Sequence, residues 1–359
     1  MKQKIVWMML ILVVLGLYNT DIKANAIKLT DEQIEEKWQG VDEEYLSQKV
    51  IDNLEEIFPK EYFNELFPNC NGPQCSRNYY SYENFKDAIE QISKIKYKIA
   101  YRQGRLSCFQ IYRLDKESKE QVLIIQDSSF NSKWLIDVPI EEKIVDMGTF
   151  LMEGTKEERQ RELAGFLACI VGETEGNPMH CLGGDKCLGL YYNEEIKYRN
   201  ANCAAYSVQN ELYPPVLGKS YHGRGPMQIT WNYNYGLLSG IIFGDKNVLL
   251  NHPEYVVEDG KLGFMTAIAF WMIPQGSKPS CHSVMTHEWQ PKQSDIASGR
   301  TTPCFGIAIM IVRGSAASNK LTSDHSIFAR TGHYQYYTKK WGIDISNEKI
   351  NTYGMYAFK

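Results

Sequence analysis

The feature that most constrains this chain is the segment from Thr155 to Glu173. Thr155 followed three residues later by Glu158 spells a capping box, in which each side chain satisfies a backbone donor that a helix start leaves free. Leu163, Phe166, Leu167 and Ile170 then recur at i, i+3, i+4 and i+7, so they share one face of a helix and need a core to bury it. Glu173 continues that face, three residues after Ile170. A carboxylate on a buried stripe is costly unless it is protonated or paired, and the helix macrodipole disfavours negative charge at a C-terminus. Both effects favour the protonated carboxyl, the form a general acid needs. Because Gly176-Asn177-Pro178 follows at once, the alternative is a glutamate reaching solvent from a fraying end.

Helical spacing recurs elsewhere: from Tyr45 to Phe67 with Pro59 interrupting, over Tyr80–Ile92 opened by Ser81, and over 256–273, 303–313 and 324–341. Residues 93–147 read differently. Tyr97–Tyr101, Cys108–Tyr112, Gln121–Ile125 and Lys133–Val138 are short aromatic or β-branched runs divided by charged turns, a strand pattern. With no repeat or Pro/Ser-rich linker in the chain, the expectation is one mainly α domain over 48–359 carrying a small β-rich insertion at 93–147. An acidic lead-in at 27–47 precedes it, with Thr30 and Gln33 placed as a capping box.

At the N-terminus Lys2 and Lys4 precede an apolar run from Ile5 to Leu17, and Ala24-Asn25-Ala26 offers a small-x-small cleavage site. Residues 1–26 therefore read as an export signal, the run being short for a span of about 20 apolar residues. An uncleaved anchor is the alternative. The expected location is extracellular, or the lumen of the secretory or endolysosomal system, with no membrane attachment after cleavage. Nine cysteines should then mostly pair, Cys70 with Cys75 in a small loop, and Cys169 is the expected free thiol because it lies in an apolar helix. His180, Cys181, Cys187 and Cys203 lack the two-residue spacing of a zinc knuckle, so disulfides are the reading preferred over a metal. A net charge of −4 argues against nucleic acid or anionic membrane as the main partner. Twenty-three tyrosines and seven tryptophans exceed what the core needs and suit stacking on sugars.

The second informative stretch is Tyr221-His222-Gly223-Arg224-Gly225-Pro226-Met227-Gln228-Ile229-Thr230-Trp231-Asn232-Tyr233-Asn234-Tyr235-Gly236. Two glycines around an arginine, then a proline, make a rigid turn where backbone can approach a ligand. On an extended segment, Gln228, Thr230, Asn232 and Asn234 would share one face and Trp231, Tyr233 and Tyr235 the other. The stretch resembles the signature of the family 19 chitinases, plant-type endochitinases with a helical, lysozyme-like fold. Phe166-Leu167-Ala168 through Glu173-Thr174, Phe264-Met265-Thr266-Ala267 through Lys278-Pro279-Ser280-Cys281-His282, Arg330-Thr331-Gly332-His333-Tyr334 and Tyr79–Phe85 are similar to further family strings, in family order.

That resemblance implies a secreted, endo-acting, inverting hydrolase of β-1,4-linked N-acetylglucosamine polymers, with Glu173 as acid and a second carboxylate as base. Register favours Glu195 over Glu194 for the base. Inverting enzymes hold the two carboxyls about 6.5–9.5 Å apart to admit water, and Thr230 falls where the family holds that water. Tyr221, Arg224, Gln228, Tyr233, Asn234, Lys278 and Arg313 fall on sugar-binding positions, and Arg330 on an arginine that pairs near the acid. Three departures stand out. A family histidine is Gly172 here, the substrate-binding turn reads Val312-Arg313-Gly314-Ser315, and an expected glutamate is Ala317. Those changes raise two alternatives, a wall-binding protein without hydrolysis and a peptidoglycan hydrolase. No metal, nucleotide or flavin motif stands out, acid–base glycoside cleavage needs no cofactor, and a monomer is expected.

Overall fold

In the computed structural model, residues 26–176, 187–200 and 203–358 are described. Residues 1–25 of the expected export segment, His180 and Cys181 lie outside them. The N-terminal part runs β1 (Ala26–Lys28), α1 (Asp31–Trp38), α2 (Ser47–Ile57), α3 (Lys60–Leu66) and α4 (Tyr82–Ser93). Each boundary has a local cause. Thr30 and Gln33 form the reciprocal capping box of α1, Pro59 stands between α2 and α3, and Ser81 accepts from the backbone of Asn84 at the start of α4.

Four more strands follow: β2 (Ile95–Arg102), β3 (Arg105–Asp115), β4 (Glu120–Gln126) and β5 (Ile140–Asp146). They make an antiparallel sheet in the order β1-β4-β3-β2-β5. The strand expected at Lys133–Val138 is instead a chain of tight turns. Its cause is Arg102, buried beneath it, whose guanidinium takes the carbonyls of Phe130, Ile136 and Val138 and winds the segment around itself. One edge strand is the charged run Ile140–Asp146, and charge at an edge discourages further strand pairing.

The acidic lead-in is an integral layer of this sheet. β1 pairs with β4. Trp38, fully buried, packs with Leu29, Ile34 and Leu114, and the Lys98 ammonium sits 5.0 Å over its ring. On the other face the sheet meets the helical body: Arg113 donates to the carbonyl of Ile241, and an Ile124 methyl lies where a Cβ on Gly240 would be.

The helical body comprises α5 (Lys156–Thr174), α6 (Asn232–Phe243), α7 (Asn247–Asn251), α8 (Tyr255–Glu258), α9 (Gly260–Met272), α10 (Cys281–Met285), α11 (Gln293–Ala297), α12 (Phe305–Arg313) and α13 (His325–Trp341). Mainly α with one small sheet is thus the observed class. The Thr155–Glu158 capping box of α5 forms as its spelling requires. Every residue from Arg161 to Val171 is buried, so α5 is wrapped on all sides and not merely along one stripe. Its two buried charged residues are paired: Arg161 with Glu348 at 2.9 Å, and Glu162 with the Trp271 indole and His282.

The expected Cys70–Cys75 disulfide is not formed, and Cys70, Cys75, Cys108, Cys203, Cys281 and Cys304 carry free thiols. The Cys70 and Cys75 sulfurs turn to different carbonyls, those of Tyr80 and Tyr191. Cys169 is buried and free as expected, and burial pushes its thiol up to about 12. No helix among the described residues is long and apolar enough to cross a membrane.

Candidate active site

Glu173 is the penultimate residue of α5, and the chain that follows is tied back to a later segment. Gly176 donates to the carbonyl of Leu188, and the amides of Tyr191 and Tyr192 both donate to that of Thr174. The strand-like stretch leading to Glu195 is thereby fastened to the end of the helix that carries Glu173.

From there the register does the positioning. Glu194 bridges Arg224, and Arg224 bridges Ile229, both antiparallel. Side chains alternate between faces along such segments, so Glu194, Arg224 and Ile229 share one face. Carried one step along, the same register sets Glu195, Gly223 and Thr230 in a row on the other, with Glu195 donating its amide to the Gly223 carbonyl at 2.8 Å. Neighbouring strands lie about 4.8 Å apart, so Glu195 and Thr230 flank Gly223 across two such spacings. A Cβ on Gly223 would stand 2.8 Å from the side-chain oxygen of Gln228, so glycine is what lets that amide lie over the row. Carboxylate, amide and hydroxyl converge on one face.

The two adjacent glutamates have opposite surroundings. Glu194 is buried and ion-paired with Arg199, His222 and Arg224. Burial alone would raise its carboxyl, but the hydrogen bonds of His222 and Arg199 and the nearby arginine charges outweigh it and hold the group below the usual range. Glu195 is half-exposed and accepts a hydrogen bond from the Tyr206 hydroxyl at 3.2 Å. Burial, then the charge of Glu195, pushes the Tyr206 phenol up to about 12, so Tyr206 remains a donor.

Glu173 departs from the apolar setting its stripe suggests. Arg330 meets it at 2.6 Å and Arg313 at 3.2 Å. Arg330 is 2% exposed and crosses α5 at Gly172, where a Cβ would stand 2.6 Å from its side-chain stem, and it also donates to the Gly172 carbonyl. A histidine at 172 would occupy that path. Ala317 is fully buried and carries no charge. Arg313, expected to contact sugar, is a second partner of Glu173.

Other expectations are also corrected. The stretch after Thr230 is not extended: Trp231 has φ of 77° and α6 begins at Asn232, whose buried amide holds the carbonyls of Val208 and Tyr213. Tyr221 is fully buried with its hydroxyl on the Leu250 carbonyl. Arg224 is buried against Glu194 and the Tyr235 hydroxyl. Both are structural. Tyr233, Asn234 and Lys278 line a cavity of about 750 Å³, which neither glutamate lines, while Asn234 also donates to the Thr230 carbonyl. Sequence reasoning missed Tyr206, which sits in a loop with no motif around it, and the pairing of Arg313. Among the described residues no group of His, Cys, Asp and Glu is arranged to hold a metal ion.

Residues 142–350 match the model of glycoside hydrolase family 19, described as chitinase class I. The chain is 40% identical over 196 residues to Chitinase 10 of Oryza sativa subsp. japonica, covering 55% of this chain and 65% of that one. It is 36% identical over 199 residues to an endochitinase of Carica papaya, covering 78% of the latter. It spans between 55% and 65% of the length of four rice chitinases. Among solved structures, the class IV chitinase of Zea mays superposes with a TM-score of 0.49 at 21% identity, over 81% of this chain and 96% of that one. With more than half of its length matched by the family model, this chain belongs to glycoside hydrolase family 19, the class I chitinases.

Proposed function

We propose that the protein is a secreted, endo-acting chitinase that hydrolyses β-1,4 linkages between N-acetylglucosamine units with inversion. Glu173 protonates the leaving oxygen, and Glu195 takes a proton from the attacking water. The Thr230 hydroxyl donates to the Gln228 carbonyl and keeps lone pairs free to orient that water, while the Gln228 amide lies beside it. The observation that carries this reading is the contrast between the two neighbouring glutamates. Glu194 is consumed by Arg199, His222 and Arg224, whereas Glu195 stands half-exposed in the row shared with Thr230. Export rests on the charged and then apolar N-terminal run. On colloidal chitin the wild type should release soluble N-acetylglucosamine oligomers. Glu173→Gln and Glu195→Gln should each lower the rate by roughly 10²–10⁴, the usual worth of a positioned acid or base. Wild-type rates in either variant would remove the mechanism.

One observation favours a second reading, a polysaccharide-binding protein of low hydrolytic rate. Two guanidiniums engage Glu173, and a proton donor must carry a proton while substrate is bound. Arg313, with its side chain 32% exposed, is the partner able to swing away. If Arg313→Ala raises the turnover of a slow wild type, the pairing is what restrains it.

A further inference from the structure

The sheet, most of which precedes the family match, presents an unusual surface to the helical body. Along β2, Tyr97, Ile99 and Tyr101 alternate onto one face, and Ile99 and Tyr101 pair directly with Ile111 and Phe109 of β3. Towards Ile124 and Arg113 this face rests on α6. Towards Tyr101 and Phe109 it stands off. Between it, the Gln275–Lys278 turn, Trp289 and the C-terminal Phe358 lies the cavity of about 750 Å³, within the roughly 300–1,000 Å³ of ordinary ligand sites.

We propose that this cavity binds further N-acetylated sugar units of a β-1,4-linked polysaccharide, so that the inserted sheet acts as a wall that lengthens the substrate track. The proposal rests on the chitinase reading above and extends it to residues the family match does not include, since Tyr101, Leu106 and Phe109 all precede residue 142. The wall is held in place: Tyr101 pairs with Glu141 on the adjacent strand, and Phe109 packs against the main core. Half-buried rings on one side, and Asn234 and Gln275 on the other, give the combination a pyranose requires, an apolar face to stack and polar edges to hydrogen-bond. Continuity with the catalytic row comes through Asn234, which lines the cavity and donates to the carbonyl of Thr230 at 2.7 Å.

Charge narrows the ligand further. Lys143, Lys278 and Lys292 line the cavity, and its one carboxylate, Asp295, is taken by Arg300 at 2.9 Å. A neutral acetylated chain suits this lining. A deacetylated chain, cationic at each amine, is repelled.

The test uses the full chain carrying Glu173→Gln, so that ligand survives, and measures binding of N-acetylglucosamine tetramer and hexamer by calorimetry. Tyr101→Ala combined with Phe109→Ala should weaken hexamer binding about tenfold and abolish its advantage over the tetramer. Because truncating Phe109 also touches the core, Leu106→Asp at the exposed rim provides a second variant that leaves packing intact, with the same expected direction. The fully deacetylated hexamer should bind at least tenfold more weakly than the acetylated one. Hexamer binding unchanged in both variants would overturn the wall while leaving the chitinase reading standing. A wild type that neither binds nor cleaves any acetylated oligomer would instead remove that reading, and the wall with it.

Discussion

Two glutamates one position apart occupy opposite environments, and that difference is the sharpest prediction at the residue scale. Glu194→Gln removes the charge facing Arg199, His222 and Arg224. Breaking a buried ionic cluster in this way costs about 3 kcal/mol or more, so its denaturant midpoint should fall clearly. Glu195→Gln keeps an acceptor for Tyr206, and its unfolding free energy should stay within about 0.5 kcal/mol of wild type, as for substitutions away from buried networks. Gly172 gives a second prediction. Alanine would gain roughly 1 kcal/mol of helix propensity over glycine. Its Cβ, however, would stand 2.6 Å from the Arg330 stem, and overpacking costs about 1–3 kcal/mol. The clash should win, so Gly172→Ala should unfold at lower denaturant than wild type. The sequence showed which residue departed from the family at 172. Why it could depart was not legible there, because Arg330 arrives from a helix 158 residues away along the chain.

At the scale of elements, local rules were read correctly where local forces decide. The capping boxes at Thr30 and Thr155 and the break at Pro59 stand where the sequence placed them. Errors arose where a distant group decides. Lys133–Val138 has strand composition, but the buried Arg102 claims its carbonyls and bends it. Residues 228–234 alternate like a strand, yet the turn at Trp231 starts a helix there. The contact between α5 and α10 supplies a test of pH. His282 is buried; burial works against its charged form, but the charge and hydrogen bond of Glu162 at 2.7 Å outweigh it and raise its affinity for a proton above the ordinary 6.5. A raised folded-state value stabilises the fold fully below the unfolded value and loses that contribution as pH climbs through the folded one. The stability gap between wild type and His282→Gln should therefore be widest below about pH 6.5 and should narrow as pH rises above it. A gap that widens with pH would reverse the assignment.

Across the whole molecule, the helical class and the inserted sheet were legible because each is carried by local pattern or by family strings. The partners of Glu173 were not, since Arg313 and Arg330 reach it from α12 and α13. Nor was the depth at which the lead-in is bound into the sheet, which depends on Trp38 finding Leu114 and Lys98 far along the chain. These long-range contacts leave the arrangement on which the proposed mechanism depends: Glu173 at the end of α5 and Glu195 beside Gly223, with the Thr230 hydroxyl completing the row. Water delivered from the base to the face opposite the leaving group must invert the sugar. Proton NMR of freshly cleaved N-acetylglucosamine hexamer reads this directly, before mutarotation mixes the anomers. The account predicts that the new reducing ends appear first as the α-anomer, whereas a β-anomer at the earliest time points would contradict it.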